Sequence, residues 1–165
     1  MKATSSGRAT VTLPTDEQIL ITREFDAPPR LVFRAWTTPE LLRRWWHAKR
    51  GEVTVAEIDL RVGGRWRSAM VTEDGVEVAF HGEFREIVPD ERIVSTEVYE
   101  GVPDAEAGAV VNTITFEDVG GGRTLLMNLV QAPTREVRDA IIASGMEAGL
   151  QDALDLLEEV AVSLR

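Results

Sequence analysis

The chain has 165 residues, 28 of them acidic and 18 basic, with a formal charge of −10, and 44% of it is hydrophobic. That size and balance specify one globular domain able to bury a core, while the acidic excess argues against nucleic acid, whose phosphates are met by lysine and arginine. There is no cysteine, which removes disulfides, thiolate metal sites and a cysteine nucleophile and suits a cytoplasmic location; no apolar run approaches the roughly eighteen residues of a membrane span.

Residues 1–16 are polar and lack the apolar core of a signal peptide, so they read as a mobile tail before a single domain over 17–165. Gln18 to Phe25 alternates as a half-buried strand does. Asp26-Ala27-Pro28-Pro29 breaks it, and Leu31, Val32, Ala35 and Trp36 mark a short amphipathic helix. Thr38-Pro39-Glu40 supplies an N-cap, a first-turn proline and an acid for a second helix carrying Leu41, Leu42, Trp45 and Trp46. Residues 28–50 also hold Arg30, Arg34, Arg43, Arg44, Lys49 and Arg50 against Glu40 alone. The plainer reading of that run is a solvated face; the sharper is a docking patch for an acidic protein partner.

From Glu52 the pattern changes to period two with turn punctuation. Strands are expected over 52–60, 65–72, 76–88, 92–100, 109–117 and 123–132, separated by Val62-Gly63-Gly64, Glu73-Asp74-Gly75, Pro89-Asp90-Glu91, the polar 101–108 and Gly120-Gly121-Gly122. Asp74-Gly75 is a hairpin signal, and Ile87, out of phase with Phe84, signals a bulge. Strands joined by tight turns are antiparallel. The last stretch, Thr134 to about Ser163, spaces Val137, Ile141, Leu150, Leu154, Leu157 and Ala161 as one apolar stripe, a helix of roughly 40 Å with Thr134 as its N-cap. Gly145 and Gly149 in its middle each cost about 1 kcal/mol against alanine. They serve either close packing on a sheet or a helix kept thin or bent where something else must fit. The fold expected is α+β: a curved antiparallel sheet wrapped around a long C-terminal helix, with two short helices after the first strand.

AWTTPELLRRWW (Ala35 to Trp46), DLRVGGRWR (Asp59 to Arg67), GEFREIVPDERIVST (Gly82 to Thr96), GGGRTLLMNL (Gly120 to Leu129) and SGMEAGLQDALDLLEE (Ser144 to Glu159) come in that order. Together they resemble the bacterial activator-of-heat-shock-ATPase-homologue branch of the START-like, or SRPBCC, superfamily over residues 18 to 162. The resemblance implies the helix-grip fold and an internal cavity between sheet, short helices and long helix. It leaves activity open, since relatives include lipid and hormone binders, polyketide cyclases and aromatases, oxygenase domains and a co-chaperone domain. Two departures bear on the cavity: Leu150 stands where the family usually has tryptophan after the glycine, and His47 follows the tryptophan pair where a small residue is common.

His47, in a loop beside Trp46, reads first as an exposed loop residue and second as a group acting at a cavity mouth. His81 is out of phase with Phe80 and Phe84 and belongs on the surface. Two histidines without matching carboxylate spacing give no metal signal of weight. No nucleophile elbow, triad or phosphate loop is present; Asp59 and Arg61 read as an ion pair at a turn. The candidate ligand-binding set is Trp36, Trp45, Trp46, Trp66, Met70, Phe80, Glu97, Tyr99, Asn112, Met127, Met146 and Leu150, mostly apolar with a few polar groups, as a small-molecule pocket is. Ser68 and Asn128 are further polar strand positions. The expected function is binding of a small, largely apolar molecule without a cofactor, by a monomer or homodimer. The alternatives are a cyclase- or aromatase-type enzyme using Glu97, Tyr99 or His47 as acid or base, and a co-chaperone-like interaction module.

Overall fold

A computed structural model describes residues 8–165, so residues 1–7 of the expected tail lie outside the described residues. The elements are β1 (Thr10–Thr12), β2 (Gln18–Phe25), α1 (Pro29–Thr37), α2 (Pro39–Leu42), β3 (Gly51–Ile58), β4 (Arg65–Thr72), β5 (Glu77–Val88), β6 (Arg92–Tyr99), β7 (Val110–Gly120), β8 (Arg123–Gln131), α3 (Arg135–Ala143) and α4 (Met146–Ser163). One eight-stranded antiparallel sheet runs in the order β1-β2-β8-β7-β6-β5-β4-β3. Its hairpins follow from the turn chemistry: Gly75 at φ 84° closes β4–β5, and Gly120, Gly121 and Gly122, all at positive φ, close β7–β8. Register shifts at Val53/Val55, Phe84/Glu86 and Asp118/Gly120 add the bulges that let a wide sheet curl. The out-of-phase Ile87 marked the second of them.

The concave face is set by alternation. On β2 the buried positions are Ile19, Ile21, Arg23 and Phe25, and the register carries that face through Leu126 and Val130 on β8 to Ile114 and Phe116 on β7 and Ile93 on β6. Leu154, Leu157, Val160 and Ala161 of α4 and Leu31, Val32, Phe33 and Ala35 of α1 close over it. Each large side chain so buried is worth about 1.5–3 kcal/mol.

Three features differ from the sequence expectation. Residues 10–12, placed in the tail, add a short edge strand, because Ala9 is buried and both its backbone groups bond the Gln151 side chain at 2.9 Å. The long helix is two: α3 ends at Ala143, and Gly145 at φ 78° turns the chain into α4. An L side chain is disfavoured in that conformation, so glycine sits at the break itself rather than inside a continuous rod. The second short helix stops at Leu42, and Thr38 makes no side-chain cap bond. Trp45 and Trp46 follow in hydrogen-bonded turns. Thr134 does cap α3, its Oγ1 accepting from the Val137 amide at 3.1 Å.

Candidate functional site

The candidate set separates into three groups. Trp45 belongs to the core: it is 4% exposed, and its indole N–H donates to the Ala35 carbonyl at 3.0 Å. Trp36 packs on it with ring centroids 5.0 Å apart and meets Phe116 edge-on. A satisfied, enclosed indole is structural, and the pair anchors α1 to the turns after α2. Met127 is displaced from the expectation altogether. It pairs with Thr115 and Thr22 between Leu126 and Asn128, which places it on the convex face, away from α4.

The remaining residues meet on the concave face toward β3–β6. Trp66, Ser68 and Met70 share it on β4, with Phe80 and Gly82 opposite them on β5. Phe80 stacks between Trp46, edge-on at 5.9 Å, and Tyr99 at 5.1 Å, so one aromatic row runs from the turns after α2 to the end of β6. Trp46, Trp66, Met70 and Phe80 are half-buried rather than enclosed, and Tyr99 is 43% exposed. Met146 and Leu150, at the start of α4, are half-buried on the other side.

Gly149 decides what lies between. It shares a flank of α4 with Ala153 and Val160, by the helical period. Val160 is 3% exposed, yet a methyl group on Gly149 would meet nothing within 4 Å. The same flank is therefore packed at one end of the helix and open at the other. Close packing, one of the two uses expected for the glycine pair, does not hold at this position. Along α4, Leu157 and Val160 are closed in, while the position of Gly149 is uncovered among the described residues.

A seam of polar groups crosses the concave face of the sheet. Ser95 and Asn112 face each other across β6–β7, and Asn112 Nδ2 donates to Glu97 Oε1 at 2.8 Å. Desolvation raises the Glu97 pKa above the ordinary carboxylate value, against the Asn112 hydrogen bond. Trp66 Nε1, Asn128 Oδ1 and Arg23 Nε are shielded from solvent and have no hydrogen-bond partner among the described residues. Native interiors rarely leave such groups unmet. Gly82 makes room here: a methyl there would stand 1.9 Å from the Thr96 carbonyl and 2.6 Å from Trp66 Nε1. Arg23, an arginine in the apolar phase of β2, was not among the candidates, although its place two residues after Ile21 and two before Phe25 was the available signal. Its Nη1 donates to Asp155 at 2.7 Å and its Nη2 to Glu158 at 3.1 Å.

Both histidines lie elsewhere. His47 Nδ1 accepts from the Lys49 amide at 3.0 Å and pins a loop in which Ala48 and Lys49 hold φ of 53° and 62°. His81 is on the convex face between Glu100, at 2.7 Å, and Glu106, at 2.9 Å. Arg61 and Asp59 form the expected turn pair at 2.9 Å. Arg30, Arg34, Arg43, Arg44, Lys49 and Arg50 are exposed, but Arg43 donates to the Val53 carbonyl and Arg50 to Asp152. Two open depressions, of about 490 and about 330 Å³, lie by the β4–β5 hairpin and on the convex face. Lys49, Arg50, Glu73 and Asp74 line the first, and Arg65, Arg67, His81 and Glu100 the second. Val76 also lines the first, and Trp66 and Gly82 the second. No helix of the described residues is long and apolar enough to cross a membrane.

Residues 26–161 match the family described as "Activator of Hsp90 ATPase homolog 1-like protein". Among solved structures, the chain is similar to a Rhodobacter sphaeroides protein at 25% identity and TM-score 0.86, covering 94% of this chain and 99% of that one. A Chromobacterium violaceum protein is 29% identical at TM-score 0.73, over 86% of this chain and 95% of that one. An AHSA1-like protein from Aeromonas hydrophila, 23% identical over 88% and 93% of the two chains, has TM-score 0.63. No curated protein matches the chain.

Proposed function

Since the chain belongs to the family of activator-of-Hsp90-ATPase-homologue-1-like proteins, within the START-like superfamily, we propose that its sheet and α4 form a wedge, shut at Val160 and widening toward Met146, that binds a small, largely apolar molecule. The open space at Gly149 carries this reading. A helix flank that is packed at Val160 and empty at Gly149 leaves apolar surface for a guest, and the Trp46–Phe80 pair and Met146 supply it. Such a site is apolar with a few placed polar groups, which the Glu97–Asn112 pair and Trp66 Nε1 provide.

Native mass spectrometry of the protein purified from its own host tests the reading. A bound mass of a few hundred daltons is expected, displaced when Gly149→Trp fills the wedge in a chain that keeps its fold. A bare protein that also takes up no apolar probe at saturating concentration overturns it.

A second reading rests on Glu97. An inward carboxyl whose pKa is raised by desolvation is what a general acid needs, so the same wedge would fold a polyketide-like substrate for cyclisation or dehydration. There Glu97→Gln would abolish turnover and leave binding intact.

A further inference from the structure

Resting on that reading, we infer that the wedge selects guests whose polar end is neutral, an alcohol, phenol or ketone oxygen, over guests ending in a carboxylate or phosphate. The inference follows from which charges reach the concave face. Arginines 65 and 67 flank Trp66 on β4 and alternate to the convex side, where Arg67 is held by both Glu100 oxygens at 2.9 and 3.0 Å. Arg50 is turned to Asp152 and Arg43 to a backbone carbonyl. On the concave face of the sheet that leaves Arg23, whose single charge already faces two carboxylates, Asp155 and Glu158, on α4. An anionic head entering the wedge would give up its water and find no unmatched cation on that face, the costliest way to bury a group.

A neutral oxygen meets a different set. Among the described residues Trp66 Nε1 is a donor with nothing to donate to, and Asn128 Oδ1 an acceptor with nothing to accept from. Glu97 Oε1 accepts from Asn112, which leaves its Oε2 as the oxygen turned to a guest hydroxyl. The seam therefore offers a donor from β4, an acceptor from β8 and the Glu97 carboxyl between them. A hydroxyl, which accepts and donates, satisfies either end, and a ketone satisfies the donor end. The orphaned groups and the missing cation point to one class of guest.

Calorimetry on the full chain at pH 7 with two matched pairs, 2-naphthol against 2-naphthoate and 1-decanol against decanoate, separates the cases. Within each pair the neutral probe is expected to bind about tenfold more tightly or better. Trp66→Phe is expected to weaken 2-naphthol several-fold and leave 2-naphthoate unchanged, and Glu97→Gln, which keeps a polar group beside Asn112, to retain the preference. Equal binding within both pairs, or a preference for the anions, overturns the head-group inference and leaves the wedge as a ligand site. No binding by any of the four overturns the wedge and the inference together.

Discussion

At the scale of single residues the least expected arrangement lies outside the wedge. Glu100, on the convex face, takes a two-point contact from Arg67 and a third bond from His81, which also reaches Glu106 on the turn over residues 105–108. The hydrogen bond to Glu100, ahead of that to Glu106, raises the His81 pKa above its ordinary 6.5, against a smaller cost of burial. The bonds from Arg67 and His81 lower Glu100 from 4.5 to about 2. The signs set a window. A raised folded value means that the His81 contribution is complete below pH 6.5 and is lost as pH rises through the folded pKa. A lowered one means that the Glu100 contribution is complete above pH 4.5 and is lost as pH falls toward about 2. The cluster therefore supports the fold most between pH 4.5 and 6.5. Melting curves from pH 5.5 to 8.5 should show the wild type losing stability toward the alkaline end more steeply than His81→Asn. An NMR titration should find the His81 pKa above 6.5, falling in Glu100→Gln; parallel melting profiles would remove the assignment.

Among the elements, the two glycines of the last helical stretch have opposite roles, and substitution separates them. Gly145 holds φ 78° at the α3–α4 break, where an alanine costs about 1–2 kcal/mol. Gly149 lies within α4 with open space beyond its Cα, so Gly149→Ala is expected to stabilise by up to about 1 kcal/mol. Urea unfolding of both variants measures the contrast, and a destabilised Gly149→Ala would mean that the flank is packed after all. The pair also marks what a sequence can carry. The period-two strands, the hairpin at Asp74-Gly75 and the bulge beside Ile87 follow from local chemistry, as does the Thr134 cap. The helix break was hidden because a run of good helix formers on both sides outweighs a single glycine in any periodicity. The edge strand at Thr10–Thr12 was hidden because three residues are too few to alternate and its anchor, Gln151, is far along the chain. Trp45 and Trp46 are neighbours of one type, and only the partner of each indole, a carbonyl for one and Phe80 for the other, separates core from wedge. Met127 lies one position from the concave-facing Leu126 and Asn128, enough to exchange faces.

Across the whole molecule the proposed wedge predicts a clamp with one locked and one loose end. At the locked end Arg23, 2% exposed on β2, is tied to Asp155 and Glu158 of α4, and Glu158 also accepts from the Asp26 amide at 2.8 Å. At the other end α4 is held by Arg50 and Asp152, whose side chains are 42% and 35% exposed. An exposed pair is worth about 0–1 kcal/mol, whereas removing both partners of a buried guanidinium strands its charge and costs about 3–5 kcal/mol. Asp155→Ala with Glu158→Ala should therefore destabilise by that larger amount, and Asp152→Ala by less than about 1 kcal/mol. Arg23→Met should fall between them, because Asp155, 41% exposed, keeps its access to water when the arginine goes. Hydrogen exchange gives the same asymmetry a spatial form. Amides around Leu154 to Ala161 should exchange only with global unfolding, those around Gly149 and Leu150 through local opening, and the difference should shrink when an apolar guest fills the wedge. Uniform protection along α4, or equal costs for the two ends, would mean that the helix closes on the sheet as one rigid face and leaves no end through which a guest can enter.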